Sequence, residues 1–289
     1  MKTSISSKMM SALERAKKRL ATETREGLVS FLLSQQRGNG GFPNKGGLED
    51  LYYTAFGWLV SYVLGIRLEA DKMNAYLGQF KEEELDFVHY IAFMKCKMLH
   101  RLVSEGIMGM WLNGWKASNV RSLDSFLEFP HEDRHSPYNQ FLWLSLLEDC
   151  HFRLMGKKQT LIDLQNYRVA GGGFSNLKQQ EAASANATAA ALMIKAQLAV
   201  YDRLDAEALC KMQEDNGGFK AEEGAPIPDL LSTATALFAL KNYGLKPLYN
   251  PAGFIEAHLA DNGGFMATLL DEQCDVEYVF YGLLALGSI

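Results

Sequence analysis

Gly38-Asn39-Gly40-Gly41-Phe42, followed by Asp50-Leu51-Tyr52-Tyr53-Thr54-Ala55-Phe56, is the stretch on which the reading of the fold turns. A glycine-rich turn ends in an aromatic, and a few residues later an acid opens an apolar, helix-like run. The turn returns at Gly171-Gly172-Gly173-Phe174, Asn216-Gly217-Gly218-Phe219 and Asn262-Gly263-Gly264-Phe265. Phe174 to Phe219 is 45 residues, Phe219 to Phe265 is 46, and Phe42 to Phe174 is 132, or three times 44. A fixed period of this length marks a repeat architecture. Two further units with eroded turns fit between the first and the fourth, so six units cover residues 24–289.

Each unit reads as a shorter amphipathic helix followed by a longer, more uniformly apolar one. The pairs are Arg25–Gln36 with Asp50–Leu64, Asp71–Phe80 with Glu83–Val103, and Val120–Glu128 with Pro137–Met155. Thr160–Tyr167 with Glu181–Val200, Ala206–Gln213 with Asp229–Tyr243, and Pro251–Leu259 with Cys274–Leu286 complete the set. Strand signal is almost absent. The fold expected is all-α, an (α/α)6 toroid with an inner and an outer ring, forming one domain over residues 1–289. An extra helix near Ile5–Leu20, within residues 1–23, carries Lys and Arg and reads as a solvated cap. The glycines supply the left-handed backbone of a sharp corner, and the aromatic is expected to pack beneath it.

Composition narrows the function. The chain has 289 residues, 48% of them apolar, enough for a sizeable core. Its 34 acidic and 29 basic residues give a net charge of −5, which argues against a nucleic-acid partner. Cys96, Cys150, Cys210 and Cys274 are dispersed, as expected of reduced thiols in a cytoplasmic protein. Met1–Ser7 is polar, without the apolar core of a signal peptide, and no run reaches the ~18 apolar residues of a transmembrane segment.

The GGF turn followed by D-x-Y-Y-T at a helix head resembles the repeat of protein prenyltransferase β-subunits and squalene-cyclase-type terpene cyclases. The resemblance spans residues 24–289 and is strongest in units one, four, five and six. It implies a central cavity for an isoprenoid or similar apolar small molecule, with chemistry at the inner-helix heads. The positions it points to are Asp50, Tyr52 and Tyr53; Asp86 and His89; Ser136, Tyr138 and Asn139; Ser184 and Asn186; Asp229 and Ser232; and Asp275, Glu277 and Tyr278. As large residues of the inner helices, Tyr52, Tyr53, Phe56, Tyr138, Phe141, Trp143, Phe238, Tyr278 and Tyr281 are the substrate-binding candidates.

Neither of the family's catalytic signatures is present. The zinc enzymes use D-x-C with a distant D-x-x-H to hold a thiolate. Here the nearest match is Asp275-Val276-Glu277, with His89 in an Asp86-Phe87-Val88-His89 frame. No cofactor is expected, and zinc on Asp275, Glu277 and His89 is the one metal the resemblance leaves open. The cyclases use D-x-D-D as a proton donor. Asp275 and Glu277, at the most acidic inner-helix head, are therefore the catalytic candidates for acid chemistry, set against an ordinary role as helix caps. A non-catalytic ligand-binding or protein-interaction scaffold is the other reading, and a prenyltransferase would also need an α-subunit partner. Met108, Trp111, Leu112 and Trp115 form an aromatic segment, and Pro130-His131-Glu132-Asp133-Arg134-His135-Ser136 reads as a solvated loop.

Overall fold

A computed structural model describes residues 3–113, 135–150 and 157–289, and side chains in all of these except 107–113. The expected helix Val120–Glu128, the side chains of the aromatic segment from Met108 to Trp115 and most of the 130–136 loop therefore lie outside what is described.

The described chain is mostly helical. The first helix, α1, is Ile5–Arg19, and α2 is Thr22–Gln35. Longer apolar helices follow as α3 (Leu51–Leu64), α5 (Phe87–Asn113, broken at Gly106), α6 (Pro137–Asp149), α8 (Ala185–Gln197), α10 (Leu230–Tyr243) and α12 (Val276–Ser288). Shorter helices alternate with them as α4 (Ala70–Leu77), α7 (Lys157–Gln165), α9 (Arg203–Lys211) and α11 (Ala252–Ala257). Among the long helices α3 packs against α5, α5 against α6, α6 against α8, α8 against α10, α10 against α12, and α12 back against α3.

Three short antiparallel ribbons, which the sequence pattern did not signal, join turn to helix. They are β1 (Phe42–Pro43) with β2 (Glu49–Asp50), β3 (Phe219–Lys220) with β4 (Pro228–Asp229), and β5 (Met266–Thr268) with β6 (Asp271–Cys274). Each delivers an acid to a helix N-terminus. Asp50 Oδ1 accepts from the backbone of Tyr52 at 2.8 Å, Asp229 Oδ1 from Ser232 at 2.8 Å and Asp275 Oδ1 from Tyr278 at 2.9 Å. These are N-caps, satisfying amides a helix start leaves unpaired.

The repeated aromatic is buried beneath each corner: Phe42, Phe174 and Phe219 are fully buried and Phe265 nearly so. In the first, fourth and fifth units the threonine four residues after the cap locks it in place, whereas Val279 stands there in the sixth. Thr54 Oγ1 accepts from Phe42 N at 2.9 Å and donates to Asp50 O at 2.7 Å. Thr233 does the same for Phe219 N (2.9 Å) and Asp229 O (2.7 Å). The D-x-x-x-T frame is thus a structural clamp. Thr233→Val, similar in shape but unable to make either bond, should cost about 1–3 kcal/mol for the stranded buried amide and carbonyl. Urea unfolding should show that loss, with the slope m unchanged.

The second glycine of a corner carries the next short helix. A Cβ on Gly41 would stand 2.4 Å from the Tyr76 ring of α4, one on Gly218 2.3 Å from Phe254 of α11, and one on Gly264 2.9 Å from Phe31 of α2. Gly263 is held still more tightly: at φ 83°, its Cβ would lie 2.3 Å from Gly27 O of α2. The last corner therefore seats the first helix pair.

The N-terminal helix is not the solvated cap its charges suggested. Ile5, Ala12, Leu13 and Ala16 are fully buried, with α1 pressed against α12, α3 and α6. Its cations serve helix C-termini: Arg15 donates to Gly287 O (2.8 Å), Arg19 to Leu286 O (2.8 Å) and Lys17 to Val63 O (2.6 Å). Unpaired terminal carbonyls and the negative end of each helix dipole both favour that arrangement.

Candidate functional site

A cavity of about 900 Å³ lies among α3, α5, α6, α8, α10 and α12, with the N-terminal part of α1 forming one wall. Six of the nine expected binding residues line it: Tyr52, Phe56, Tyr138, Phe141, Phe238 and Tyr281. Phe56 stacks at a tilt on Phe280 (4.8 Å between ring centres) and meets Tyr52 edge-on at 4.8 Å. Small residues on α8, Ala189 and Ala190, make room opposite. Trp143, Tyr53 and Tyr278 are not on the lining. Trp143 is buried with its ring 6.4 Å from that of Phe87, and Tyr53 and Tyr278 belong to the group of acids and phenols at the helix heads.

At that group, Tyr52 Oη donates to Glu277 Oε1 at 2.9 Å. Glu277 is buried, and desolvation pushes its carboxyl above the usual range, with the Tyr52 and Tyr53 hydroxyls opposing the shift. The hydroxyls of Tyr138 and Tyr281 face that of Tyr52, so a chain of phenols leads from the carboxyl into the cavity. Glu277 itself is not on the lining; it reaches the cavity through Tyr52. Asp275 is 96% buried and likewise raised by desolvation, but Oδ1 is committed to the helix cap. Its Oδ2 has no hydrogen-bond partner among the described residues.

His89 stands elsewhere. Its Nε2 is 3.8 Å from Asp50 Oδ2 and its Nδ1 2.7 Å from Asp86 Oδ2, and these two carboxylates raise the imidazole pKa to about 9. The ion trio clasps the head of α3 to that of α5 instead of joining Asp275 and Glu277. Among the described residues, no group of three or more His, Cys, Asp or Glu is placed to hold a metal ion. A group raised in the folded state stabilises fully below its unfolded pKa near 6.5, and that contribution fades as pH rises through about 9. The melting temperature should therefore fall between pH 6.5 and 9.5, and His89→Gln should flatten that segment of the profile.

The sequence reading missed the other end of the cavity, where Lys95 of α5, Ser6 of α1 and Ser145 and Asp149 of α6 meet. Nothing set Lys95 apart in the sequence, since α5 also carries Lys97, Arg101 and Glu105. Among the described residues, no helix is long and apolar enough to cross a membrane. No protein-family model and no curated protein matches the chain.

Proposed function

We propose that the chain is a six-unit α/α toroid of the prenyltransferase and terpene-cyclase type whose central cavity binds an isoprenoid or similar apolar molecule. The observation that carries this reading is the cavity of about 900 Å³ bounded by all six long helices and faced by aromatic side chains. Its size falls within the roughly 300–1,000 Å³ of small-molecule sites. Ring closure is supported by the contact of α12 with α3. It is supported again by Phe31 taking on the sixth corner the place that Tyr76 takes on the first and Phe254 on the fifth. The aromatic faces offer dispersion and a shape suited to a branched polyene. The test is titration with the neutral fluorescent probe N-phenyl-1-naphthylamine and its displacement by C15 and C20 isoprenoids. Saturable binding of one probe per chain is expected, and absence of saturable binding refutes the reading.

A second reading, acid catalysis of polyene cyclisation, is favoured by one observation: a buried Glu277, its carboxyl raised by desolvation, bonded to a phenol on the cavity wall. In that reading Glu277, once protonated, donates to Tyr52 Oη, the reverse of the bond seen here, while Tyr52 passes its own proton to the polyene. The cation left after ring closure returns a proton to Glu277 by the same path, and Asp275 only caps α12. Incubation with a linear polyprene should then yield cyclic product with the wild type and with Asp275→Asn, and none with Glu277→Gln. Equal yields from wild type and Glu277→Gln would sink the acid role.

A further inference from the structure

Resting on the cavity as a ligand site, we infer that its ligand is neutral and carries a single oxygen, as alcohol, aldehyde, ketone or ester carbonyl, at the end lying against α1. The argument is an account of donors. The Lys95 ammonium has three N–H groups, and they go to Ser6 Oγ at 2.8 Å, Ser145 Oγ at 2.9 Å and Asp149 Oδ2 at 2.5 Å. Nothing is left on the ammonium for a ligand. Ser6 Oγ and Ser145 Oγ are 3.0 Å apart, so one hydroxyl proton lies between them, whichever oxygen donates. The second hydroxyl proton has no protein acceptor among the described residues. All three residues line the cavity. This end therefore offers one O–H donor and asks for one acceptor oxygen.

Charge decides what kind of oxygen. Lys95 is the one cation among the described residues that line the cavity, and Glu148 and Asp149 stand beside it on the last turn of α6. Glu148 is fixed by Ile5 N at 2.9 Å and by Gln197 Nε2 at 2.6 Å, and Asp149 Oδ1 also accepts from Ser4 Oγ at 3.2 Å. A carboxylate or diphosphate arriving here would meet a cation already neutralised and two acids. At the opposite end it would meet Glu277 behind Tyr52. Neither end offers an anion an unpaired cation, so it would give up hydration with no charge partner in exchange. A neutral oxygen takes the free hydroxyl proton, and the apolar body runs toward Phe56 and Tyr281.

The experiment is displacement of N-phenyl-1-naphthylamine by four C15 compounds: β-farnesene, farnesol, farnesoic acid and farnesyl diphosphate. Farnesol is expected to bind about fivefold more tightly than the hydrocarbon, the yield of one added hydrogen bond, and more tightly than either anion. Asp149→Asn deletes the negative charge that neutralises Lys95, while its amide oxygen still accepts from the ammonium, so farnesoic acid should gain about tenfold relative to farnesol. Should that variant fail to fold, the wild-type series decides alone. A hydrocarbon matching the alcohol, or an anion binding as tightly, overturns the inference while leaving the cavity an apolar binding site. If neither the probe nor any of the four compounds binds, both readings fall.

Discussion

Asp205→Ala is expected to cost about 3–5 kcal/mol, because it takes from a buried lysine its buried counter-charge and leaves it only the partly exposed Asp202 at 3.5 Å. Asp205 and Lys195 are both buried, at 0% and 3% exposure, and their Oδ2 and Nζ are in direct contact. The other oxygen of Asp205 accepts from Arg168 at 3.0 Å and from the backbone of Gly173 at 3.2 Å. One carboxylate on α9 thus holds the fourth corner, the helix α8 behind it and Arg168 before it. The reason it stands there is local. On the first, fifth and sixth corners an aromatic of the next short helix packs on the glycines, whereas the fourth meets the Leu204 backbone and the small Ala208 of α9. The charge network supplies the hold that ring packing gives elsewhere, and Lys195 also lies 5.0 Å from the centre of the Phe174 ring. At about 2 °C per kcal/mol for a chain of this length, thermal unfolding should move down by roughly 6–10 °C. The double variant Asp205→Ala with Lys195→Met should lose less than the two single losses added together, since it leaves no orphaned ion. A loss under 1 kcal/mol for Asp205→Ala alone would show that the network contributes little.

How far the sequence speaks differs from one residue to the next. The corners were legible because they repeat: a glycine turn, an aromatic and an acid-headed apolar run leave little conformational choice, and Phe42, Phe174, Phe219 and Phe265 are all buried as their pattern implies. The aromatic lining was partly legible, since Phe56, Tyr138 and Tyr281 sit on long helices. Which face of such a helix turns inward was not, because α6 and α12 are apolar on nearly every side; hence Trp143 and Tyr278 were placed on the cavity and are not. The ribbons between corner and helix escaped because they are two to four residues long, below the length at which alternation shows. The N-terminal helix misled by composition. Its arginines and lysines looked like a solvated face, yet they find carbonyls at the ends of α3 and α12, distant in sequence. The polar cluster of Ser6, Lys95, Ser145 and Asp149 spans 143 residues of sequence, from 6 to 149, and no local pattern announces it.

Filling the cavity should abolish binding without unfolding the protein. Ala190 is the residue at which to do so: it lies on α8, lines the cavity and keeps 5% exposure, so a larger side chain has open volume to enter. Thr235 and Phe238 on α10 and Met193 on α8 share that wall. Ala190→Trp would place an indole across the path between the Tyr52–Tyr281 end and the Ser6–Lys95 end. For a ligand that spans both ends the expected loss is at least about 100-fold in affinity, the scale on which an occluded central contact removes binding energy. Stability should hold or rise, since the new ring buries apolar surface worth about 25 cal/mol per Å² while displacing no packed neighbour. Graded variants separate the steric effect from general damage. Across Ala190→Val, Ala190→Leu and Ala190→Trp, affinity for a C20 isoprenoid should fall in that order, while a C10 alcohol seated near Ser6 and Ser145 should tolerate valine. Binding of the C20 ligand undiminished in a folded Ala190→Trp protein would place the ligand outside the cavity. A parallel fall for both lengths would mean that the helix wall had shifted as a whole. Only a length-dependent loss ties the occupied volume to the space between the two polar ends.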